Sequence, residues 1–132
     1  MSTFTVELQS ASRTERIEGV RSFIGEDASG SFGLLAGHAR FMTVLEFGLA
    51  RLRTDDDGWQ YLALPGGLLY FVRNHMSIVV RRYLKDPNYE RISRALHEQM
   101  HAEEENLRSM KESLRGMEEE LLRRMWEMRR RR

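Results

Sequence analysis

With 132 residues, 21 basic and 20 acidic side chains and a net charge of +1, the chain has the size of one modest domain or of a small domain with an appendage, and no global charge draws it to nucleic acid. The absence of cysteine excludes disulfides and thiolate chemistry and permits a reducing compartment. The opening MSTFTVELQS lacks a basic segment followed by an apolar run, and no apolar stretch nears the ~18 residues of a membrane span, so the chain is expected to be cytoplasmic, with no signal peptide.

Up to about Arg82 the apolar period is two. Phe4, Val6 and Leu8 alternate with Thr5 and Glu7, which predicts a strand with one buried face. Further strands are predicted at 15–18, 20–24, 40–46, 49–53, 59–64, 68–73 and 76–83. Glycines 30, 33 and 37 mark closely spaced corners, and Ser29 to Phe32 reads as a glycine-rich loop. Asp55, Asp56, Asp57 and Gly58 form one hairpin turn, Asn74 and His75 a second. Many short strands with turn signals between them predict a β-sandwich or barrel.

At Asp86 the period changes. Asp86 is read as the cap of a helix whose first residue is Pro87, where a missing N–H costs nothing. Leu96, Met100, Leu107, Met110, Leu114, Met117, Leu121 and Met128 then recur near helical spacing, an apolar seam with charged residues on the other faces. Glu103 interrupts it, within Glu103-Glu104-Glu105-Asn106. Ser109 and Glu112 beyond have capping-box spacing, so the segment is either one continuous helix of roughly 65–70 Å or two helices folded back there. Gly116 is a second hinge candidate, weaker than alanine in a helix by about 1 kcal/mol. The predicted class is therefore α+β, a β-sandwich at 1–84 and a helical domain at 86–132.

Three constellations carry chemistry. His97-Glu98-Gln99-Met100-His101 has the HExxH pattern, which on a helix would place two zinc ligands and a general base on one face. A third ligand is lacking nearby: Glu118 to Glu120 lie roughly 25–30 Å along a straight helix. Exposed helical histidines are the simpler reading, with a zinc hydrolase as the enzyme alternative. His38, in Gly37-His38-Ala39, has no nucleophile beside it, which favours a structural or interface role. Ser31 lies in GSFG, too short and without the lysine of a phosphate-cradling loop. No catalytic, metal or cofactor site is therefore predicted. The closing arginines, Arg129 to Arg132, complement the helix dipole or hook an acidic partner, with Trp126 and Met128 beside them as an apolar anchor. Aromatic residues are not interleaved with these arginines, which argues against nucleic acid.

An ordered set of corners carries a family likeness. Gly33-Leu34-Leu35-Ala36-Gly37-His38-Ala39-Arg40-Phe41, the corner Glu46-Phe47-Gly48, and Pro65-Gly66-Gly67-Leu68-Leu69-Tyr70-Phe71, followed by the helical segment, resemble the epsilon subunits of F-type ATP synthases over nearly the whole chain. Ala36 and Arg40 replace the prolines of the family's Gly-His-Ala corner. Arg91 stands where some relatives carry the aspartate of an ATP-binding motif, with Arg94-Ala95 retained, so no bound ATP is carried over. These departures point to a divergent branch such as the alternate, sodium-type ATPases.

The resemblance implies a sandwich of about ten strands, then a helical hairpin able to extend. It implies a non-catalytic seat in the central stalk against the gamma subunit and the c-ring, at the cytoplasmic face of the membrane through the complex alone. It also implies coupling of ion flow to nucleotide chemistry and, in extended form, contact with alpha and beta subunits and inhibition of hydrolysis. By position, Ser29, Gly30, Ser31, Phe32 and His38 would face the c-ring or gamma. The seam Leu96, Met100, Leu107, Met110, Leu114, Met117 and Leu121, with Arg123, Arg124 and Arg129, would contact gamma or alpha and beta. The alternative from another class is a free-standing adaptor whose sandwich binds one partner and whose helix forms a coiled coil.

Overall fold

A computed structural model of the chain describes residues 2–130. Alternation is clearest in the first strand: in β1 (Phe4–Gln9), Phe4, Val6 and Leu8 are buried while Thr5, Glu7 and Gln9 are only partly so. The chain continues through β2 (Thr14–Asp27), β3 (Gly30–Leu35), β4 (Phe41–Leu45), β5 (Gly48–Thr54), β6 (Gly58–Leu64), β7 (Gly67–Val72), β8 (His75–Val79) and β9 (Leu84–Asp86) to the helix α1 (Tyr89–Arg130). The described residues thus hold nine strands and one helix, where about ten strands and a helical hairpin were among the expectations. They divide into two compact units between Leu96 and His97.

The first unit is a β-sandwich whose layers share one strand. The first half of β2 pairs with β1, from Gln9↔Thr14 to Phe4↔Val20, and its second half pairs with β3 on one side and β5 on the other. Predicted as two strands, 15–18 and 20–24, it runs unbroken because Gly19, at φ 69°, takes up the kink beside the register shifts. One layer then follows β1, β8, β7 and β4, with β1 and β8 parallel; the other follows β3, β2, β5, β6 and β9. Between them pack Val6, Leu8, Phe23, Leu52, Leu62, Leu69, Phe71, Met76 and Ile78, all fully enclosed. Removing such side chains from water supplies most of the unit's stability, at roughly 1.5–3 kcal/mol each.

Several boundaries differ from those expected, each for a local reason. Residues 30–35 form β3 rather than a loop, with Ser31 and Phe32 inside the strand, because Asp27↔Gly30 closes a tight hairpin directly onto β2. The second tight turn is Arg73-Asn74, not Asn74-His75. Both residues have positive φ, 50° and 59°, as a two-residue hairpin of this hand requires. The predicted strand 76–83 ends at Val79, and the chain crosses to the other layer, where Leu84 and Asp86 pair with Ala63 and Tyr61 of β6. A polar cluster fixes the crossing: the Glu15 carboxylate accepts from the Tyr83 hydroxyl at 2.8 Å and from the Lys85 ammonium. Burial, and then the bond to Glu15, push the Tyr83 phenol up to about 12.

The helix begins two residues later than read. The Asn88 side chain accepts the Arg91 N–H at 3.0 Å and so caps it, while the Asp86 carboxylate accepts the Asn88 N–H at 2.7 Å and pairs with the Arg91 guanidinium at 3.1 Å. Pro87 therefore lies before the helix, not at its first position. The first two turns belong to the sandwich unit: Ile92 and Leu96 are buried with Ala63, against Phe47, Leu49 and Tyr61. For that reason the second compact unit starts at His97. The helix runs 42 residues without a break at Glu103–Asn106 or Gly116. Neither site breaks it, since no proline intervenes and one glycine costs only about 1 kcal/mol. Along its surface the Glu120–Arg124 ion pair at 3.0 Å and a His101–Glu105 contact at 3.2 Å each span one turn.

Gly67 tests the packing where β7 meets the end of β8. A Cβ there would stand 2.4 Å from Val80 Cγ1 and 2.7 Å from the Val79 carbonyl oxygen. Gly67→Ala is expected to destabilise the chain by about 1–3 kcal/mol, read by denaturant unfolding, and unchanged stability would show that this strand end yields freely.

Candidate interaction surface

Three surface features stand out, two on the sandwich and one on the helix. The first is built on a chain of rings. Phe32 points back to the core, its ring 6.3 Å from Phe23 and 5.3 Å from Phe41. His38 stands edge-on to Phe41 at 5.7 Å and to Phe71 at 6.1 Å, and Phe71 meets Phe4 at 5.4 Å. This run connects the β2–β3 strand pair and the adjoining His38 turn with Phe71 of β7 and Phe4 of β1, which are distant in sequence. The turn itself is held by the Asn74 side-chain oxygen, which accepts the Gly37 N–H at 2.7 Å, and by the His38 N–H on the Leu35 carbonyl at 3.2 Å.

The five residues expected to face partners therefore divide. Ser29 and Ser31 are exposed and Gly30 makes the turn at φ 118°, whereas Phe32 is half-buried against the core. His38 is exposed, with its ring packed along one side. Beneath the hairpin, the Asp27 carboxylate accepts the Ser29 N–H at 2.9 Å, the Ser29 hydroxyl, and the Thr43 hydroxyl at 2.7 Å. The bonds from the Ser29 and Thr43 side chains hold its carboxyl below the ordinary 3.8.

The second feature is an apolar sheet face that sequence reasoning did not single out. Val44 lies opposite Leu68, Leu68 opposite Val79, and Val79 opposite Gln9, forming one outward row across β4, β7, β8 and β1. Met42 pairs with Tyr70 in the next row. Val44 and Met42 are 66% and 61% exposed, Leu68 and Val79 nearly half. The signal was present: FMTVLEF and GGLLYF are apolar at successive positions, so both faces of these strands seek cover. Contiguous exposed apolar area of this kind marks contact surfaces.

The third feature is the helix. Leu96, expected as a contact residue, is instead buried inside the sandwich unit. From Glu104 to Arg130 every side chain is exposed, including Leu107, Met110, Leu114, Met117 and Leu121 of the seam and Arg123 and Arg129. Arg124 is paired with Glu120, and Arg130 lies over the Trp126 ring at 4.9 Å. Arg131 and Arg132 lie outside the described residues. His97 and His101 are exposed, and among the described residues no three His, Asp or Glu side chains are grouped to hold a metal ion. No described helix is long and apolar enough to cross a membrane.

The Asp27 clamp gives a pH test. With the folded-state pKa below the unfolded one, its contribution is present above the unfolded value and is lost as pH falls through the folded one. Thr43→Val is expected to move the Asp27 titration up towards 3.8, followed by carboxyl-carbon NMR. An unmoved titration would show that Ser29 alone sets it.

Residues 3–86 match the family model described as ATP synthase, Delta/Epsilon chain, beta-sandwich domain. Over 52 residues the chain is 48% identical to the ATP synthase epsilon chain 2 of Cereibacter sphaeroides, covering 39% of this chain and 36% of that relative. Over 78 residues it is 32% identical to the ATP synthase epsilon chain of Synechocystis, covering 59% of this chain and 57% of the relative. The matches thus span 36% and 57% of the length of these two curated relatives. Among solved structures, a chain of the Euglena gracilis mitochondrial ATP synthase is similar with a TM-score of 0.60 at 16% identity, over 74% of this chain and 64% of that one. One from the Tetrahymena thermophila mitochondrial ATP synthase central stalk and c-ring has a TM-score of 0.51 at 15% identity, over 64% of this chain and 69% of that one. At such identities the likeness is one of fold. A family match across the whole sandwich, on strands that leave a hairpin, an apolar sheet face and a helix seam uncovered, has one reading: the chain belongs to the ATP synthase delta/epsilon chain family.

Proposed function

We propose that this chain is the epsilon subunit of a rotary F-type ATP synthase or ATPase, a non-catalytic part of the central stalk that couples ion passage through the c-ring to ATP synthesis or hydrolysis. The family match over residues 3–86 carries the reading. It is supported by the three uncovered surfaces, which a subunit seated among partners needs and a solitary domain does not. The functional parts are the sandwich, 1–84, and the helical segment, 86–132.

In this reading the sandwich is a rigid coupling. Torque passes through it only if its contact edges do not yield, and the ring chain from Phe4 to Phe23 stiffens the edge that bears His38. Ser29, Gly30, Ser31 and His38 present that edge to the c-ring and gamma, with Phe32 supporting it from inside. The row Val44, Leu68 and Val79 adds an apolar seat on the stalk. Met100, Leu107, Met110, Leu114, Met117 and Leu121 contact gamma, or alpha and beta when the helix is extended, and Arg123, Arg124 and Arg129 meet acidic surfaces there. Leu96 acts indirectly, anchoring the root of the helix. This reading assigns no nucleotide to the subunit; Arg91, which stands where some relatives carry an aspartate, pairs with Asp86. The chain sits at the cytoplasmic face of the membrane, held there by the complex.

Co-expression with gamma from the same source is expected to yield a stable one-to-one complex by size exclusion with light scattering. Failure to form it would favour the adaptor alternative. Within the assembled complex, truncation after Asn88 is expected to raise the ATP hydrolysis rate if the extended helix acts as a brake, and an unchanged rate would remove that role.

A further inference from the structure

The helix beyond the sandwich carries a seam that the described residues of its own chain do not cover. Leu107, Met110, Leu114, Met117 and Leu121 are between 58% and 67% exposed. Their recurrence at three and four residues is that of a helix pair, in which each seam residue enters a hole on the facing helix. What distinguishes the candidate partners is charge. Residues 97–107 hold Glu98, Glu103, Glu104 and Glu105 and no lysine or arginine, whereas 121–130 hold Arg123, Arg124, Arg129 and Arg130 against the single Glu127. The two ends of the segment are therefore complementary to each other. Laid parallel on a second copy, the segment would set glutamates against glutamates and arginines against arginines; laid antiparallel, it sets each end against its opposite.

We propose that the free chain pairs with a second copy of itself through an antiparallel contact along residues 103–128 of α1. One register satisfies both seam and charge. Leu114 lies opposite the second copy's Met117, Met110 opposite its Leu121, and Leu107 opposite its Arg124. Glu103, the residue that interrupts the seam, lies opposite Met128 and one layer from Arg124 of the other copy. The middle of the helix is acidic at Glu118, Glu119 and Glu120, and the same register answers it by bringing Lys111 of each copy beside Glu118 of the other. A parallel pair in the same heptad frame would bury Glu103 against Glu103 and Arg124 against Arg124, which is why orientation is selected.

The pairing itself needs no other subunit. If the reading as an epsilon subunit also holds, the dimer covers the seam residues assigned to gamma, so self-pairing and assembly exclude one another. Added gamma then dissolves the dimer.

The test uses the full chain alone, so that it stands or falls apart from the gamma experiment. Sedimentation equilibrium across the micromolar range is expected to approach twice the chain mass. Met110→Glu with Leu114→Glu is expected to return it to the chain mass while the near-ultraviolet signal of the sandwich stays unchanged. Because the chain has no cysteine, single spin labels report orientation cleanly. Labels on Ser113→Cys should lie at levels about 8 Å apart along the axis, and labels on Glu127→Cys about 35 Å apart, from the 1.5 Å rise and the register above. A chain mass that never rises, as for a helix folded back on itself, would overturn the proposal. So would short distances at both positions, the mark of a parallel pair.

Discussion

Strand β2 holds the two layers of the sandwich together. Its 14 residues pair first with β1 and then, past the kink at Gly19, with β3 and β5, so one continuous backbone belongs to both layers. Its side chains follow the change of layer: Val20 and Phe23 are buried on the shared core, while Arg21 reaches out to Asp55 of the β5–β6 turn at 2.6 Å. That ion pair is exposed and contributes little by itself. Its interest is positional, since it ties the bend in β2 to the far end of the neighbouring strand. At the start of the strand Glu15 does the same for the crossing between β8 and β9, gathering Tyr83 and Lys85.

The two outer faces of the sandwich meet different fates. On the β5–β6 side, Leu49 and Ala63 are covered by Ile92 and Leu96 from the first turns of α1, and Tyr61 by Tyr89 at 5.4 Å. Among the described residues nothing covers Val44, Leu68 and Val79 on the opposite layer. Both faces are apolar by sequence, so the hydrophobic effect asks for cover on each. The chain supplies one cover and leaves the other face exposed, which in the proposed reading is where a partner sits.

The helix obeys a related logic. A segment of this length forms readily once its start is fixed, and Asn88, Ile92 and Leu96 fix it through a cap and a buried anchor. Past His97 the helix has no core of its own, so its continued order rests on propensity and on pairs such as Glu120–Arg124. Such an element is easily redirected. The two occupants proposed for the exposed seam, a stalk subunit and its own reversed copy, would compete because both would bury the same methionines and leucines.

Much of this was legible in the residues. Period-two alternation in FTVEL, the Asp-Asp-Asp-Gly turn, the change of period near Asp86 and the seam from Met100 to Met128 depend on local geometry alone, and the structure keeps them all. The ordered glycine corners were enough to name the family. Local pattern could not say that residues 30–35 continue as a strand, because the glycines that permit a turn there also permit extension. Nor could it choose between a hairpin and one continuous helix. Periodicity states which residues share a face, but which face meets the core depends on pairings between distant strands: β1 beside β8, β9 beside β6. The pairings across β4, β7, β8 and β1 lined up Val44, Leu68 and Val79 outward, while the β2–β3 register set Phe32 against the core and packing with Ala63 buried Leu96. The order of residues settles the elements and their faces. Which apolar faces the chain covers for itself is settled in three dimensions, because that cover comes from residues far away along it.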